Sequence, residues 1–265
     1  MAHGIWLLLI VFVLLLAAAG IGTTLQGRLR DHHRTSQTTD HVRLVVSILV
    51  TLTALVLSLL LSEVKGSFDT FDSRLRAFAG DLANLDVHLR EYGDEAQPIR
   101  AMLRAYVAAV VADSWREESA PAGAYPRFAG EGRGVDRQQL GAMLVRMDVA
   151  IHRLDPPDGI HQRLAQALAG QVDAALDSRR SLIGTAQATV SWPLMVAMCA
   201  WLMVVFAVFG LLAPRNAVVH LTIVICAVCV ASAIFLIDEY DSPLHGLMHV
   251  SSDALRDALR QIDEP

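Results

Sequence analysis

Ser47, Thr51, Ala54, Ser58 and Ser62 recur at spacings of 4, 3, 4 and 4 within a run otherwise rich in Leu, Val and Ile. Helical periodicity puts these positions on one face, so the run carries a stripe of small, mostly hydroxyl side chains. Hydroxyls replace part of an ion's hydration shell, which is what the wall of a water-filled path requires. The same small residues also let membrane helices approach closely, and the spacing alone leaves both readings open. A second group lies further on: Asp238, Glu239 and Asp241, followed by Pro243 and Gly246. Acids at the end of an apolar run suit an ion-attracting ring or, with backbone carbonyls, a hard-cation site. They equally suit a polar helix terminus facing water.

The remaining candidates are weaker. His245 and His249 stand at i, i+4 with Asp253 four further on, a spacing at which a helix presents imidazoles to zinc. The stretch reads His-Gly-Leu-Met-His, without the glutamate of the metalloprotease pattern, and Gly246 loosens the helix. Asp31, His32, His33, Asp40 and His41 have no fixed geometry and read as a solvated loop. Cys226-Ala-Val-Cys229 lies mid-run, where small residues pack. Gly130-Glu-Gly-Arg-Gly134 follows no strand, so it does not read as a phosphate cradle. No Ser/His/Asp or Cys/His constellation is present. The expectation is a protein that is not an enzyme and holds no cofactor and no metal.

The elements that must carry these residues follow from composition. The 265 residues are 54% hydrophobic and 18% charged, against about 25% charged in soluble domains. The net charge of -5 and the lack of a basic domain exclude a nucleic-acid partner. All three cysteines sit in apolar runs, so they report nothing about redox compartment. A helix needs about 20 apolar residues to cross a bilayer. Spans are predicted at about 5–22, 44–61, 190–213 and 216–237, the last two joined at Pro214-Arg215. No Lys or Arg precedes the first run and it exceeds a signal-peptide core, so it reads as an uncleaved span. The spans form two transmembrane hairpins, 1–61 and 190–237, with membrane lipid as their surroundings. Residues 62–189 form a soluble insert, and 238–265 hold the acidic motif and a short amphipathic helix.

Within the insert, Val64, Phe68, Phe71, Leu75, Phe78, Leu82, Leu85, Leu89 and Tyr92 follow 4-3-4-3 spacing, the seam of a helix packed lengthwise on others. Leu57 and Leu61 extend its phase into the second span, so one helix is predicted from about Val42 to Tyr92. Gly93-Asp94 ends it and Pro98 opens the next helix. Residues 120–135 read as a loop. Asp136 with Gln139 reads as a capping box for a third helix. Pro156-Pro157 breaks that helix, and a fourth starts near Asp158 with no strong stop before Pro193, so a run into the third span is expected. Ser251 or Ser252 caps the last helix, with Leu255, Leu259 and Ile262 on its apolar side. The fold class is therefore all-α: an integral membrane protein with four transmembrane helices and a helical-bundle insert between the second and third.

The stretch Leu236-Ile-Asp-Glu-Tyr-Asp-Ser-Pro-Leu-His-Gly-Leu-Met-His-Val250, then Ser-Ser-Asp-Ala-Leu, resembles the ending of the bacterial bestrophin-like family of four-span membrane proteins. Glu239, Asp241, Pro243 and Gly246 fit that ending. Leu244 stands where an aromatic is usual, and the family's glutamate-alanine-asparagine motif is not visible near Asp81 to Asp86. The order of two spans, helical insert, Arg179-Arg180, Pro193 and two spans also matches. The resemblance implies a homo-oligomeric channel, five subunits being the implied number, for small inorganic ions and above all chloride. It implies a pore lined by the second span, in the inner membrane, with termini and insert in the cytoplasm. The basic residues do not orient the chain alone: Arg28, Arg30, Arg34, Arg43 and Arg215 lie on one side, and Lys65, Arg74, Arg76, Arg179, Arg180, Arg256 and Arg260 on the other. The alternative class is a non-conducting membrane scaffold or sensor.

Overall fold

The computed structural model describes residues 2–28, 36–128, 134–186, 192–214, 216–244 and 246–264. Among them are eight α-helices and no strand: α1 (Ala2–Arg28), α2 (Ser36–Tyr92), α3 (Gln97–Ser114), α4 (Gln138–His152), α5 (Gly159–Ala186), α6 (Trp192–Leu212), α7 (Ala217–Asp241) and α8 (Asp253–Asp263). Four of these, α1, α2, α6 and α7, are long and apolar enough to cross a membrane. The chain forms two compact units. One holds Met1–Phe68 and Thr189–Met248, the other Asp69–Ala188 and His249–Pro265. The 57 residues of α2 are one unbroken helix, roughly 85 Å long at about 1.5 Å per residue. Its seam serves both units in turn.

In the first unit α1 is the common partner, packing closely along both α6 and α7. Leu15, Ala18 and Ala19 of α1, Met198 and Phe206 of α6, and Ala227, Ala231, Ile234 and Ile237 of α7 are buried together. Leu60 and Val64 bring one edge of α2 into the same core. The α1–α6 crossing is backbone on backbone. A methyl group on Gly22 would sit 1.9 Å from the Ala207 carbonyl oxygen, and one on Gly210 2.0 Å from that of Ala19. Only glycine fits at either point. Beyond the crossing, the Gln26 amide donates to the Ala213 carbonyl (3.0 Å), and the Asn216 side chain caps α7 by accepting from Val218 N–H (3.1 Å).

In the second unit Phe71, Leu75, Phe78, Leu82 and Leu85 of α2 are fully buried. Helix α3 packs on α4 and on α8, and α4 packs on α5. Gly93 ends α2 with φ +99°, in the left-handed region that favours glycine, and Pro98 stands in the first turn of α3. Asp158 opens α5, its Oδ1 accepting from the N–H groups of Ile160 and His161, both at 2.8 Å.

One predicted cap forms differently. Asp136 lies in a tight 3-10 turn (Gly134–Asp136), and Arg137 takes the N-cap position of α4 without a side-chain cap. The Arg137 guanidinium turns inward to Asp113 instead of capping. Ser252 holds the N-cap position of α8, yet its hydroxyl donates to Glu118, and the Ser251 hydroxyl instead accepts from Asp253 N–H at 3.2 Å. A continuous run of α5 into the third span would cross residues 187–191, outside the described residues.

The glycines separate two outcomes. Gly210→Ala overpacks the α1–α6 crossing and is expected to cost about 1–3 kcal/mol. A methyl on Gly80, in the part of α2 that belongs to the second unit, meets nothing within 4 Å. Gly80→Ala should therefore stabilise by about 0.5–1 kcal/mol through helix propensity alone. Thermal unfolding in mild detergent should show shifts of opposite sign.

Candidate functional site

All five stripe residues, Ser47, Thr51, Ala54, Ser58 and Ser62, are exposed on α2, turned away from the Leu60 and Val64 edge that enters the core. The stripe is not packed against another span of its own chain. The Ser47 hydroxyl donates to the Leu44 carbonyl (2.8 Å) and that of Thr51 to the Ser47 carbonyl (2.9 Å). These local bonds leave the oxygen lone pairs facing outward. Beside the stripe runs a second exposed sector, apolar throughout: Leu44, Ile48, Leu52, Leu55 and Leu59. Ser47 and Thr51 line a shallow groove with Ile48, Leu52 and Leu55. Thr53, off the stripe, is buried, and its hydroxyl donates to the Leu49 carbonyl at 2.7 Å.

The acidic motif at the end of α7 is a built turn. Glu239 is only 6% exposed. Its Oε1 accepts from Leu247 N–H and from Met248 N–H (3.3 Å), closing the chain back onto α7. Gly246 makes this possible twice over. It has φ +107°, and a methyl there would lie 2.1 Å from Glu239 Oε1. A methyl on Gly4 would approach Glu239 Oε2 to 3.1 Å, so the start of α1 lies against the same carboxylate. Asp241 is the last residue of α7, and Pro243 follows its C-cap Ser242, where a helix cannot continue. Among the described residues no three His, Cys, Asp or Glu side chains gather at metal-binding distance. His245 lies outside the described residues, as do Asp31, His32, His33 and Gly130 to Arg133. His249 stands 4.0 Å from Glu118.

Sequence reasoning missed two polar clusters in the second unit. Asp113 and Arg137, both nearly inaccessible, meet in a two-pronged pair of 2.8 and 3.1 Å. Arg116 (2.9 Å) and Gly134 N–H (3.0 Å) also donate to Asp113. Burial pushes the Asp113 carboxyl up. The hydrogen bonds from Arg137 and Arg116, the Arg137 charge and the Gly134 N–H outweigh that, and the net shift is downward. Arg179 turns inward to donate to the Arg137 carbonyl (3.0 Å), whereas Arg180 pairs outward with Asp177 (2.6 Å). Burial raises the pKa of the Tyr106 hydroxyl, with Arg179 pulling against it.

The second cluster holds the end of α8. Asp86, fully buried, accepts from Arg90 (2.8 Å) and Arg100 (2.7 Å). Arg100 also donates to the carbonyls of Ile262 (2.6 Å) and Glu264 (2.7 Å), and Arg90 to that of Gln261. Arg104 pairs with Asp263 at 2.5 and 3.2 Å. Cations thus answer the unpaired carbonyls at a helix C-terminus. The Asp86/Arg90 spacing of four was the readable hint.

Gly246→Ala forces a positive φ on an L-residue, at about 1–3 kcal/mol. Glu239→Ala leaves the two N–H groups unanswered, at a similar ~1–3 kcal/mol. Both act on one contact, so the double variant should cost clearly less than the sum in detergent melting. Strict additivity would refute the contact. Asp113→Ala removes the carboxylate against which the Arg137 charge is buried and should cost about 3–5 kcal/mol at neutral pH. With the folded pKa lowered, the parent's advantage is full above about pH 4 and shrinks as pH falls through the folded value. Melting curves of parent and variant should converge in acid.

A family model described as the Bestrophin-like domain matches residues 13–255. Two crystal structures of single-substitution variants of a bacterial bestrophin homologue from Klebsiella pneumoniae are similar in fold. The first matches with TM-score 0.61 and 12% identity, covering 98% of this chain and 97% of that one. The second has TM-score 0.54 and 12% identity, covering 98% and 99%. No curated protein matches the sequence.

Proposed function

The chain belongs to the Bestrophin-like family, and on that premise we propose that this multi-pass membrane protein is a homo-oligomeric ion channel, conducting anions, with α2 lining the pore. The observation that carries the reading is the outward hydroxyl stripe from Ser47 to Ser62 beside an outward apolar sector. A ring of protomers gives both sectors a use. The stripe faces a wet axis, and Leu44, Ile48, Leu52, Leu55 and Leu59 meet the neighbouring copy or lipid. Each hydroxyl can rotate off its own backbone carbonyl to donate to a passing anion, since that carbonyl keeps its helical N–H partner. Of the three acids that would favour cations, Glu239 is buried in the exit turn, while Asp238 and Asp241 are half-buried. Five subunits, the inner membrane, and termini and insert in the cytoplasm follow the family resemblance. The protein acts without enzymatic chemistry or a cofactor. The second reading, a non-conducting scaffold, uses the same small residues as a dry contact between copies.

Thr51→Leu separates the two. In a pore it places a ring of apolar side chains across the path and favours dewetting. Reconstituted parent should pass chloride, and the variant should lose flux while light scattering shows the oligomer intact. At a dry interface the variant instead overpacks and weakens assembly, by about 1–3 kcal/mol. Absence of ion flux from an intact parent oligomer would favour the scaffold.

A further inference from the structure

Lys65 is the sole lysine among the 22 Lys and Arg residues of the chain. It also continues the stripe. Ser47 and Lys65 are 65 − 47 = 18 residues apart, five whole turns at about 3.6 residues per turn. From Leu44 to Ser62 the helix carries no charged residue. Glu63 comes next but points to nearly the opposite side, being 16 positions from Ser47. Lys65 is therefore the first charged side chain on the stripe face after the span, and it is exposed.

Two aromatic rings flank it. The ammonium lies 5.6 Å from the centroid of Phe68 and 5.6 Å from that of Tyr240. The two rings meet edge to face, with centroids 5.3 Å apart at 75°. One ring comes from α2 itself and the other from the end of α7, next to Glu239. Ring faces attract a cation without removing its charge. A compact ammonium on a flexible stem concentrates charge at a point, whereas a guanidinium spreads it over a planar fork that seeks two-pronged partners. A chain that uses arginine everywhere else places its one lysine where a point charge would face permeant ions.

The geometry points to Lys65 as the charge-selecting residue at the mouth of the path, an inference that rests on the channel reading above. In an oligomer the residue forms a ring of positive charge that concentrates small anions and repels cations.

The test is the chloride-to-potassium permeability ratio of reconstituted full-length protein, read from reversal potentials in a salt gradient. Parent and Lys65→Arg should both prefer chloride, since the charge is kept. Lys65→Glu should lower the ratio on the order of tenfold, and Lys65→Gln should fall between. A second measurement needs no variant beyond the control: acylation with an amine-reactive ester should lower the ratio in the parent and leave Lys65→Gln unchanged. A conducting parent whose ratio stays the same in Lys65→Glu overturns the assignment and leaves the channel standing. A parent that prefers potassium also overturns it. A parent that conducts nothing removes the channel reading and this inference with it.

Discussion

Apolar side chains gain nothing by leaving a hydrocarbon solvent, so membrane helices are held by how closely their atoms approach. In the first unit that closeness is reached at Gly22 and Gly210, where α1 and α6 touch backbone to backbone. The remaining contacts depend on it. With α1 fixed on α6, its other side presents Val11, Leu15 and Ala18 to the core shared with α7, and Leu60 and Val64 of α2 fill the space left. The start of α1 then reaches Glu239, whose other oxygen closes the exit turn. One span thus packs on two others, and its start lies against the turn that follows the last.

The second unit is held by the opposite means. Its helix seams bury Phe71, Phe78, Leu103 and Leu144 as water-soluble bundles do, but its helix ends are secured by arginine. Asp86 orients two guanidiniums so that their remaining N–H groups reach carbonyls of α8. Asp113 does the same for Arg137, whose own carbonyl receives Arg179. In each case a buried carboxylate acts as a positioning device. The planar fork of arginine makes this possible, because fixing one edge fixes the direction of the others.

Much of this was legible in the sequence, for identifiable reasons. Runs of apolar residues reveal spans because lipid imposes one composition over a fixed length. The 3.5-residue seam from Val64 to Tyr92 revealed a helix continuing past the membrane because burial is periodic. Gly93, Pro98 and Asp158 punctuate helices through local backbone physics, and each does so in the structure. What stayed hidden is the information carried between distant residues. Pairing spans in chain order does not reveal that α6 and α7 make their closest approaches to α1. Local rules assign Asp136 as a cap, yet Arg137 takes the N-cap position of α4 and its side chain turns to Asp113, 24 residues away. The stripe was visible because it is local. Its outward direction was not, because that depends on which edge of α2 the other spans claim.

The place of α8 in the second unit bears on how the protein is made. Synthesis runs from the N-terminus, so residues 249–264 emerge after α3, α4, α5 and all four spans. Between Ala186 and Glu264 lie 264 − 186 = 78 residues, about 4–16 s of translation at ~5–20 residues per second. For most of that interval the Trp115 indole N–H lacks the Val250 carbonyl it later meets, and Leu255, Leu259 and Ile262 do not yet exist to cover α3. The spans enter the bilayer while the second unit is still open. A nascent chain of this protein therefore presents an unfinished hydrophobic surface until α8 leaves the ribosome.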